Sequence, residues 1–329
     1  MVIGIDKGIR SKPYIVAAKK LNIPYKLITC TFNDAINQIR SVDALIWHWT
    51  HANYIEKRIA IDIIRSAELM GKKTYPNTNT CWTFDDKVSE KYLLESVNAP
   101  MIDTYIFFTK QEALKWISSQ KLPIVYKLPQ GAGSTNVRLI KNMEDAERVC
   151  NIHFSVFGRP DIGMKLYYTD KTKYIPELFN MKNKDIYRYG ESNRGYIYFQ
   201  KYLEGNEYDI RVTIIGERAV IFRRKTREGD FRASGSGMID YNVSKEDLQA
   251  IPIAKCIAKK MKVQTMAFDF VYDKKDNTLK IIEISYGFVP EAVKASAGWY
   301  DDNMEFHIER TDVHEWVIES LIRELQQTK

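Results

Sequence analysis

Apolar residues along the first eighty positions follow two alternating spacings, one typical of strands and one typical of helices. Short apolar runs at 2–5, 25–29 and 44–47 predict strands, and the segments between them have the spacing of helices. The clearest helix runs from Asn53 to Met70, with apolar residues on one face and Gly71 as its stop. Strands that alternate with helices predict a parallel α/β layer in this part of the chain.

The pattern changes after a polar, turn-rich stretch at 72–80, which predicts a boundary. We therefore predict three parts, at 1–80, 81–198 and 199–329. The central part includes a segment at about 153–195 in which basic residues interleave with tyrosines. Such interleaving can bind nucleic acid, but a solvated insertion with packed tyrosines is the commoner explanation. We favour the insertion, and a role facing the substrate stays open.

The stretch from Gln264 to Ser285 has the strongest strand pattern and predicts a hairpin with a polar turn at 273–277. Asp269, Glu283 and Ser285 interrupt its apolar residues. Side chains two apart share a strand face, so Glu283 and Ser285 point one way, and Asp269 can face them from the paired strand. Two carboxylates and a hydroxyl suit a hard cation such as Mg²⁺. From this stretch alone, an ordinary hairpin with charges on its wet face explains the pattern better.

Composition and charge limit the class of protein. The chain has 329 residues, of which 45% are hydrophobic and 28% charged, as in a soluble globular protein with a sizeable core. No apolar run reaches membrane-spanning length, no secretory signal is recognisable, and the four cysteines are scattered without a C-x-x-C pair. We therefore expect a cytoplasmic protein. The net charge of +7 suggests an anionic partner, such as a nucleotide, a carboxylated substrate or nucleic acid.

Four signals, each weak alone, follow one another in chain order. Lys127 ends a strand before the small-residue loop at 130–134, whose backbone N–H groups can approach phosphate oxygens. A strand continues the loop, so the loop is a hairpin lid and not a Walker A loop. The acidic residues Glu207 and Asp209 can take ribose hydroxyls. An arginine-rich segment at 223–237 precedes the carboxylate hairpin.

Together these motifs resemble the ATP-grasp superfamily, most closely the branch that contains the ribosomal-protein glutamate ligase and bacterial glutathione synthetase. The resemblance covers about 72–291. Its segments are DK at 86–87, PIVYKLPQGAGSTNV at 123–137, QKYLEGNEYDIRV at 200–212, FRRKTREGDFRASGSG at 222–237, and FDF with IIEIS within 268–285. It implies an α/β ATP-grasp fold with a Rossmann-like N-terminal domain, a central α+β lid and a C-terminal antiparallel-sheet domain, with ATP between two sheets.

The resemblance also implies a role for individual residues. ATP would be bound by phosphate-binding, lid and hinge residues, namely Lys87, Lys127, Gln130, Gly131, Ala132, Gly133, Ser134, Gln200, Lys201 and Leu203. The ribose acid stays open between Glu207 and Asp209. Mg²⁺ or Mn²⁺ would be held by Asp269, Glu283 and Ser285. Arg232 is the first catalytic candidate, with Arg224 and Arg211 as second candidates.

Two positions depart from the family pattern. Ser285 stands where the family usually has Asn, and Ser234 stands where the glutamate-ligase pattern has Asn. Because a hydroxyl is a shorter neutral oxygen donor, these departures put a second metal in doubt but leave ATP binding unaffected.

The activity implied by the resemblance is carboxylate–amine ligation through an acyl phosphate, with release of ADP and phosphate. The partners would be small-molecule carboxylate and amine substrates with an anionic acceptor, in surface-polysaccharide or peptide-conjugate synthesis. We expect no nucleic-acid or membrane partner, and a homodimer stays open. Two alternatives remain: an ATP-grasp kinase that phosphorylates a hydroxyl of an anionic small molecule, and a non-catalytic ATP-binding module.

The N-terminal layer offers a place for substrates. The loops after Ile5 and after Trp47 lie at the carboxyl ends of predicted strands, where open α/β sheets bind ligands. His48 and His51 fall in the second loop. They are either substrate contacts or a metal pair, although packing or loop hydrogen bonding is the commoner role for such residues.

Overall fold

A four-stranded parallel sheet forms the N-terminal layer of the computed structural model, which describes residues 1–50, 53–130, 136–155 and 194–327. The strand order is β2-β1-β3-β4, and all neighbours are parallel. This confirms the predicted α/β layer. Its elements are β1 (Ile3–Asp6), α1 (Ser11–Lys20), β2 (Tyr25–Ile28), α2 (Ala35–Arg40), β3 (Ala44–Ile46), α3 (Tyr54–Leu69) and β4 (Lys73–Tyr75).

Strand β4 lies inside the stretch at 72–80 that was predicted to be a boundary. Thr74 and Tyr75 are buried, and β4 pairs with β3 from Ala44↔Lys73 to Ile46↔Tyr75. The polar composition of this stretch concealed a strand of only three residues. The short helix α4 (Thr78–Cys81) follows, and the side chain of Asn77 caps it by accepting from the N–H of Thr80.

The described residues of the central part form a four-stranded antiparallel sheet in the order β5-β8-β6-β7. Thr109 caps the helix that follows it, because its Oγ1 accepts from the N–H of Glu112. The elements are α5 (Lys87–Ser96), β5 (Thr104–Phe107), α6 (Lys110–Ser118), β6 (Ile124–Lys127), β7 (Val137–Ile140), α7 (Met143–His153) and β8 (Ile197–Lys201). Most of the tyrosine-rich segment predicted at 153–195 lies outside the described residues.

A larger antiparallel sheet follows, in the order β13-β12-β9-β10-β14-β15, with β11 paired to β10. The predicted hairpin at 264–285 is confirmed as β12 and β13. The elements are β9 (Tyr208–Ile215), β10 (Arg218–Lys225), β11 (Ile239–Asp240), a 3₁₀ turn (Asp247–Gln249), α8 (Ala250–Met261), β12 (Thr265–Asp273), β13 (Thr278–Ser285), α9 (Pro290–Lys294), β14 (Trp299–Tyr300), β15 (Phe306–His307) and α10 (Val313–Gln327).

The N-terminal layer and the large sheet share their hydrophobic cores. One cluster joins Leu45 and Trp47 of the first layer to Phe268 and Ile284 of the hairpin. A second cluster joins Ile3 and other β1 residues to helix α10. The carboxyl end of the parallel sheet is therefore fixed beside the end of β13. Within the described residues, the structure has no helix that is both long and apolar enough to cross a membrane.

Gly287 packs against Phe84 where β13 meets the N-terminal layer. A Cβ on Gly287 would lie 2.5 Å from Cε2 of the Phe84 ring. We expect Gly287→Ala to lower the free energy of unfolding by about 1–3 kcal/mol, because the ring has to shift within a packed core. Urea unfolding of Gly287→Ala, Phe84→Leu and the double variant measures this effect. Strictly additive losses would contradict the proposed clash.

Candidate functional site

A cavity of about 100 Å³ lies between the central sheet and the large sheet. The predicted hinge residues Gln200, Lys201 and Leu203 form one wall. Gln200 is buried, and its Nε2 donates to Oγ1 of Thr104 at 3.1 Å and to the carbonyl of Ile282 at 3.4 Å. The first bond ties the end of β8 to β5, and the second ties it to β13. Side chains of opposite charge form the other wall and include Lys127, Asp209, Arg224, Arg232, Asp269 and Glu283.

The two predicted metal-binding carboxylates face each other across β12 and β13. Asp269 and Glu283 are directly paired in the strand register, next to a bulge between Asp269 and Phe270. The hydroxyl of Ser285 instead accepts a hydrogen bond of 3.2 Å from the N–H of Gly287. Ser285 is not among the described residues that line the cavity. The structure thus brings together two of the three predicted metal-binding side chains.

Two arginines hold the carboxylates of this site in a buried network. Nε and Nη2 of Arg211 donate to the two oxygens of Asp269 at 2.7 and 2.8 Å. Arg224 donates to both oxygens of Asp209 at 2.7 and 2.6 Å and reaches Oδ2 of Asp269 at 2.7 Å. Both arginines were predicted as second catalytic candidates. In this structure they orient and neutralise the carboxylates.

The pKa values of the network follow from burial and its charged partners. Burial alone would raise the pKa of Asp269, but the guanidinium groups of Arg211 and Arg224 hold it below its ordinary value. For Asp209, burial outweighs the attraction of Arg224 and raises the pKa. Asp269 is therefore the more firmly ionised of the two buried aspartates.

Two buried lysines approach the carboxylates from the opposite side. Nζ of Lys87 lies 3.2 Å from Oε1 of Glu283, and Nζ of Lys127 donates to the carbonyl of Ile282 at 3.2 Å. Burial opposes the charge of both lysines. The carboxylates of Glu283 and Glu90 nevertheless raise the pKa of Lys87, whereas burial and Lys87 lower the pKa of Lys127. Burial would raise the pKa of Glu283, but the two lysines lower it.

Glu90 belongs to this cluster and was missed by the sequence reasoning. It is buried, and its Oε2 accepts a hydrogen bond of 3.2 Å from the N–H of Ile284. Burial raises the pKa of this carboxyl, while Lys87 lowers it. The available signal was its position three residues after Lys87 on α5, which places both side chains on one helix face.

Arg232 lines the cavity from the segment after β10. Its Nε and Nη2 donate to the carboxylate of Asp230 at 2.9 and 2.6 Å, and Nη1 lies 3.4 Å from the carbonyl of Val137. Ser234 also lines the cavity. The side chain is about 30% exposed, so Arg232 can still reach a ligand.

The two candidate ribose acids occupy different surroundings. Asp209 is buried at the start of β9 and lines the cavity, bonded to Arg224. Glu207 is exposed and precedes β9, and its carbonyl accepts from the N–H of Thr226 at 2.8 Å. The structure does not bring the two acids to one wall of the cavity.

Only the first residue of the predicted phosphate loop can be described. Gly131, Ala132, Gly133 and Ser134 lie outside the described residues, as does His51. The carbonyl of Gln130 accepts from Nδ2 of Asn136 at 2.8 Å. Its side-chain oxygen is buried and has no hydrogen-bond partner in the described part of the chain. A bound polar ligand can satisfy such a group.

The donor chemistry of the site fits a hard divalent cation. Mg²⁺ takes oxygen ligands and is usually held by one or two carboxylates together with substrate phosphates. Asp269 and Glu283 supply this pair, and the lysines beside them can pair with phosphate oxygens. The carboxylate of Asp269 accepts three N–H groups and has about four acceptor positions, so one position remains for a metal.

The lowered pKa of Asp269 predicts a pH-dependent contribution to stability. This contribution is fully present above the ordinary pKa of an aspartate, about 3.9, and is lost as the pH falls toward the lower folded pKa. We expect Asp269→Asn to cost on the order of 2 kcal/mol at pH 7, with the difference shrinking below about pH 4. Urea unfolding of both proteins from pH 7 to pH 3 measures it, and a constant difference would contradict the pairing.

The two antiparallel sheets, the charged cavity between them and the parallel α/β layer beside them match the fold that the ATP-grasp resemblance implies. A sequence model described as "RimK-like ATP-grasp domain" matches residues 84–289, which is more than half of the chain. The chain therefore belongs to this family, and the predicted superfamily and fold class are confirmed. Among curated proteins no match was found.

Solved structures with the same fold are distant in sequence. A RimK domain protein from Sphaerobacter thermophilus has a TM-score of 0.59 and 11% identity, over 98% of this chain and 100% of that one. D-Alanine–D-alanine ligase from Bacillus anthracis has a TM-score of 0.58 and 14% identity, with 100% of both chains covered. D-Cycloserine synthetase has a TM-score of 0.60 and 11% identity, covering 99% and 100%. At such identities these likenesses establish the fold.

Proposed function

We propose that this protein is an ATP-dependent carboxylate–amine ligase that binds Mg²⁺ and ATP in the cavity between the two antiparallel sheets. The observation that carries the proposal is the facing pair Asp269 and Glu283, with cations bonded to both. A metal-bound triphosphate combines a positive metal ion with negative phosphates, so it can pair with both the carboxylates and the cations of this site. The carboxylates can exchange their lysine and arginine partners for the metal, while Lys87 and Lys127 take phosphate oxygens.

The reaction would have two steps. A carboxylate oxygen of the first substrate attacks the γ-phosphorus of ATP, and ADP leaves. The amine nitrogen then attacks the acyl carbon, phosphate leaves, and the nitrogen loses a proton. Phosphoryl transfer depends mainly on positioning and charge neutralisation, which Lys127, Lys87 and Arg232 would supply. Bound Mg²⁺ would neutralise further phosphate charge, and a closed lid would protect the acyl phosphate from water.

Recognition of the nucleoside would use the wall formed by the end of β8. The segment from Gln200 to Leu203 would hold adenine, as the family resemblance implies. Either Glu207 or Asp209 would take the ribose hydroxyls. Asp209 already accepts two bonds from Arg224, whereas no hydrogen bond to the side chain of Glu207 is seen in the described residues.

The substrates are proposed at the level of chemical class. The net charge of +7 favours an anionic acceptor, as the branch with the ribosomal-protein glutamate ligase would use. A structurally similar ATP-grasp ligase, PsnB, was solved with a precursor peptide and AMPPNP, at a TM-score of 0.57 and 11% identity. Conjugation of an amino acid or amine to a peptide or to a surface-polysaccharide acid fits this class, and a cytoplasmic location would supply the ATP.

A phosphate-release screen of paired carboxylates and amines tests the proposal. We expect release that needs Mg²⁺, ATP and both substrates, with mass spectrometry showing an amide product. Glu283→Gln and Lys127→Met should abolish release, while Arg58→Ala on an exposed face of α3 should not change it. ADP formation without phosphate release, with the phosphoryl group found on a hydroxyl of a single substrate, would identify the kinase alternative. ATP binding without turnover across the screen would favour the non-catalytic alternative.

A further inference from the structure

The loop after β1 is held in one shape at the carboxyl end of the parallel sheet. Asp6 is buried, and its two carboxylate oxygens accept from the N–H groups of Gly8 at 2.7 Å and Cys30 at 2.8 Å. A Cβ on residue 8 would lie 2.7 Å from Oδ2 of Asp6, so a larger residue there would displace the Asp6 carboxylate. The loop places Arg10 at the N-cap position of α1.

Arg10 lacks a carboxylate partner among the described residues. Its side chain is half-buried, and Nη1 lies 3.4 Å from Nε2 of His48, in the loop after β3. A guanidinium carries planar donors that match a carboxylate, and burial without a counter-ion is costly. The two arginines among the described residues that line the nucleotide cavity, Arg224 and Arg232, are paired with aspartates. Arg10 therefore has unused capacity for an anion.

The groups around Arg10 leave its charge uncompensated. Nδ1 of His48 lies 3.1 Å from the hydroxyl of Tyr14, and the Tyr14 ring packs edge-on against His314 at 4.7 Å. Burial lowers the pKa of His48 to about 3 and that of His314 to about 4, so both imidazoles are neutral at pH 7. Of the nearby carboxylates, Asp6 is bonded to backbone N–H groups. Burial raises the pKa of Glu56, and no ion pair between Glu56 and Arg10 is seen in the described part of the chain.

Tyr286 connects this cluster to the carboxylate pair of the nucleotide site. Its ring lies 5.3 Å from that of His48, and its hydroxyl is buried without a hydrogen-bond partner in the described part of the chain. An unpaired buried hydroxyl is unfavourable and indicates a polar partner that the protein itself does not supply. Tyr286 is three residues beyond Glu283, which corresponds to about 10 Å along a strand.

We propose that Arg10, Tyr14, His48 and Tyr286 form the subsite that anchors a carboxylate of the ligase's small-molecule substrate. The role of this subsite in ligation rests on the proposed function. The binding of a carboxylate there does not, because it follows from the contacts of Arg10 and Tyr286. The substrate class is a short dicarboxylate or amino acid. Arg10 holds one anionic end, and the unpaired hydroxyl of Tyr286 donates to it, while Tyr14 keeps its contact with His48. The reacting end points along β13 toward Asp269 and Glu283.

Calorimetric titration with glutarate, a short dicarboxylate, tests this subsite. We expect glutarate to bind the full chain in the presence of Mg²⁺ and AMPPNP. Binding should weaken about tenfold or more in Arg10→Ala, in line with the loss of a charged hydrogen bond, and Arg10→Lys should restore part of it. Arg58→Ala is the matched control, because that exposed arginine on α3 pairs only with Asp62 in the described structure.

Tyr286→Phe separates a binding role from a structural one. Removing an unpaired buried hydroxyl should leave the free energy of unfolding unchanged or higher, and glutarate binding should still weaken. Equal glutarate affinity in the wild-type, Arg10→Ala and Tyr286→Phe proteins, or no binding at all, would overturn the subsite.

The failure of this inference can be distinguished from the failure of the proposed function. AMPPNP binding with Mg²⁺ should be the same in all these variants. If AMPPNP binds and the glutarate affinity of Arg10→Ala equals that of the wild-type protein, the subsite is wrong and the nucleotide site stands. If glutarate binding depends on Arg10 but no nucleotide binds, the anion subsite stands and the ligase proposal fails.

Discussion

Arg232→Ala is expected to lower turnover by roughly 100-fold or more, with a much smaller change in ATP affinity. Arg232 lines the cavity and is held by the carboxylate of Asp230, which fixes its guanidinium before any ligand binds. A preorganised cation over charge that develops during phosphoryl transfer is worth about 2.7–4 kcal/mol in comparable sites. That stabilisation exists mainly in the transition state, so the loss appears in turnover.

Single-turnover phosphate release and nucleotide titration together measure this effect. Arg58→Ala is the control, since that exposed arginine on α3 pairs with Asp62 and is not among the described residues that line the cavity. Asp230→Asn should give an intermediate loss, because it removes the group that positions Arg232. Near-wild-type turnover in Arg232→Ala would end the assignment of Arg232 as a catalytic residue.

Local sequence patterns predicted the elements that carry the site. The alternation around Phe268 and Phe270 predicted β12, and strand geometry then placed Asp269 opposite Glu283, as the register shows. The side chain of Asp86 caps the start of α5, whose first residue, Lys87, lies beside Glu283. These features depend on neighbours within a few residues, and such neighbours are visible in the sequence.

Features that depend on distant parts of the chain were not predictable in the same way. The buried position of Glu90 arises because Ile284, almost two hundred residues later, donates to it. Arg211 and Arg224 were predicted to act on phosphate, and their pairing with Asp269 required the register of three strands. The contact between His48 and Tyr286 likewise joins two separate parts of the chain. Sequence spacing carries no information on such contacts.

Arg224→Met is expected to lower the free energy of unfolding by about 3–5 kcal/mol, the largest stability effect predicted for this site. Arg224 is buried between Asp209 and Asp269 and bonds both. Methionine keeps much of the side-chain volume but removes the charge. Asp209, whose pKa burial already raises, would then be an unpaired carboxylate in the protein interior. Removing one partner of a buried ion pair has costs of this size.

A double-variant cycle in urea distinguishes the charge effect from a packing effect. Asp209→Asn combined with Arg224→Met should recover part of the loss, because no ionised carboxylate then remains without its partner. Arg148→Met removes an exposed pair on α7 and should cost less than about 0.5 kcal/mol. Additive losses at positions 209 and 224 would contradict the pairing. Recovery without restored turnover would show that the same ion pair both stabilises the fold and keeps the carboxylates of the nucleotide site in place.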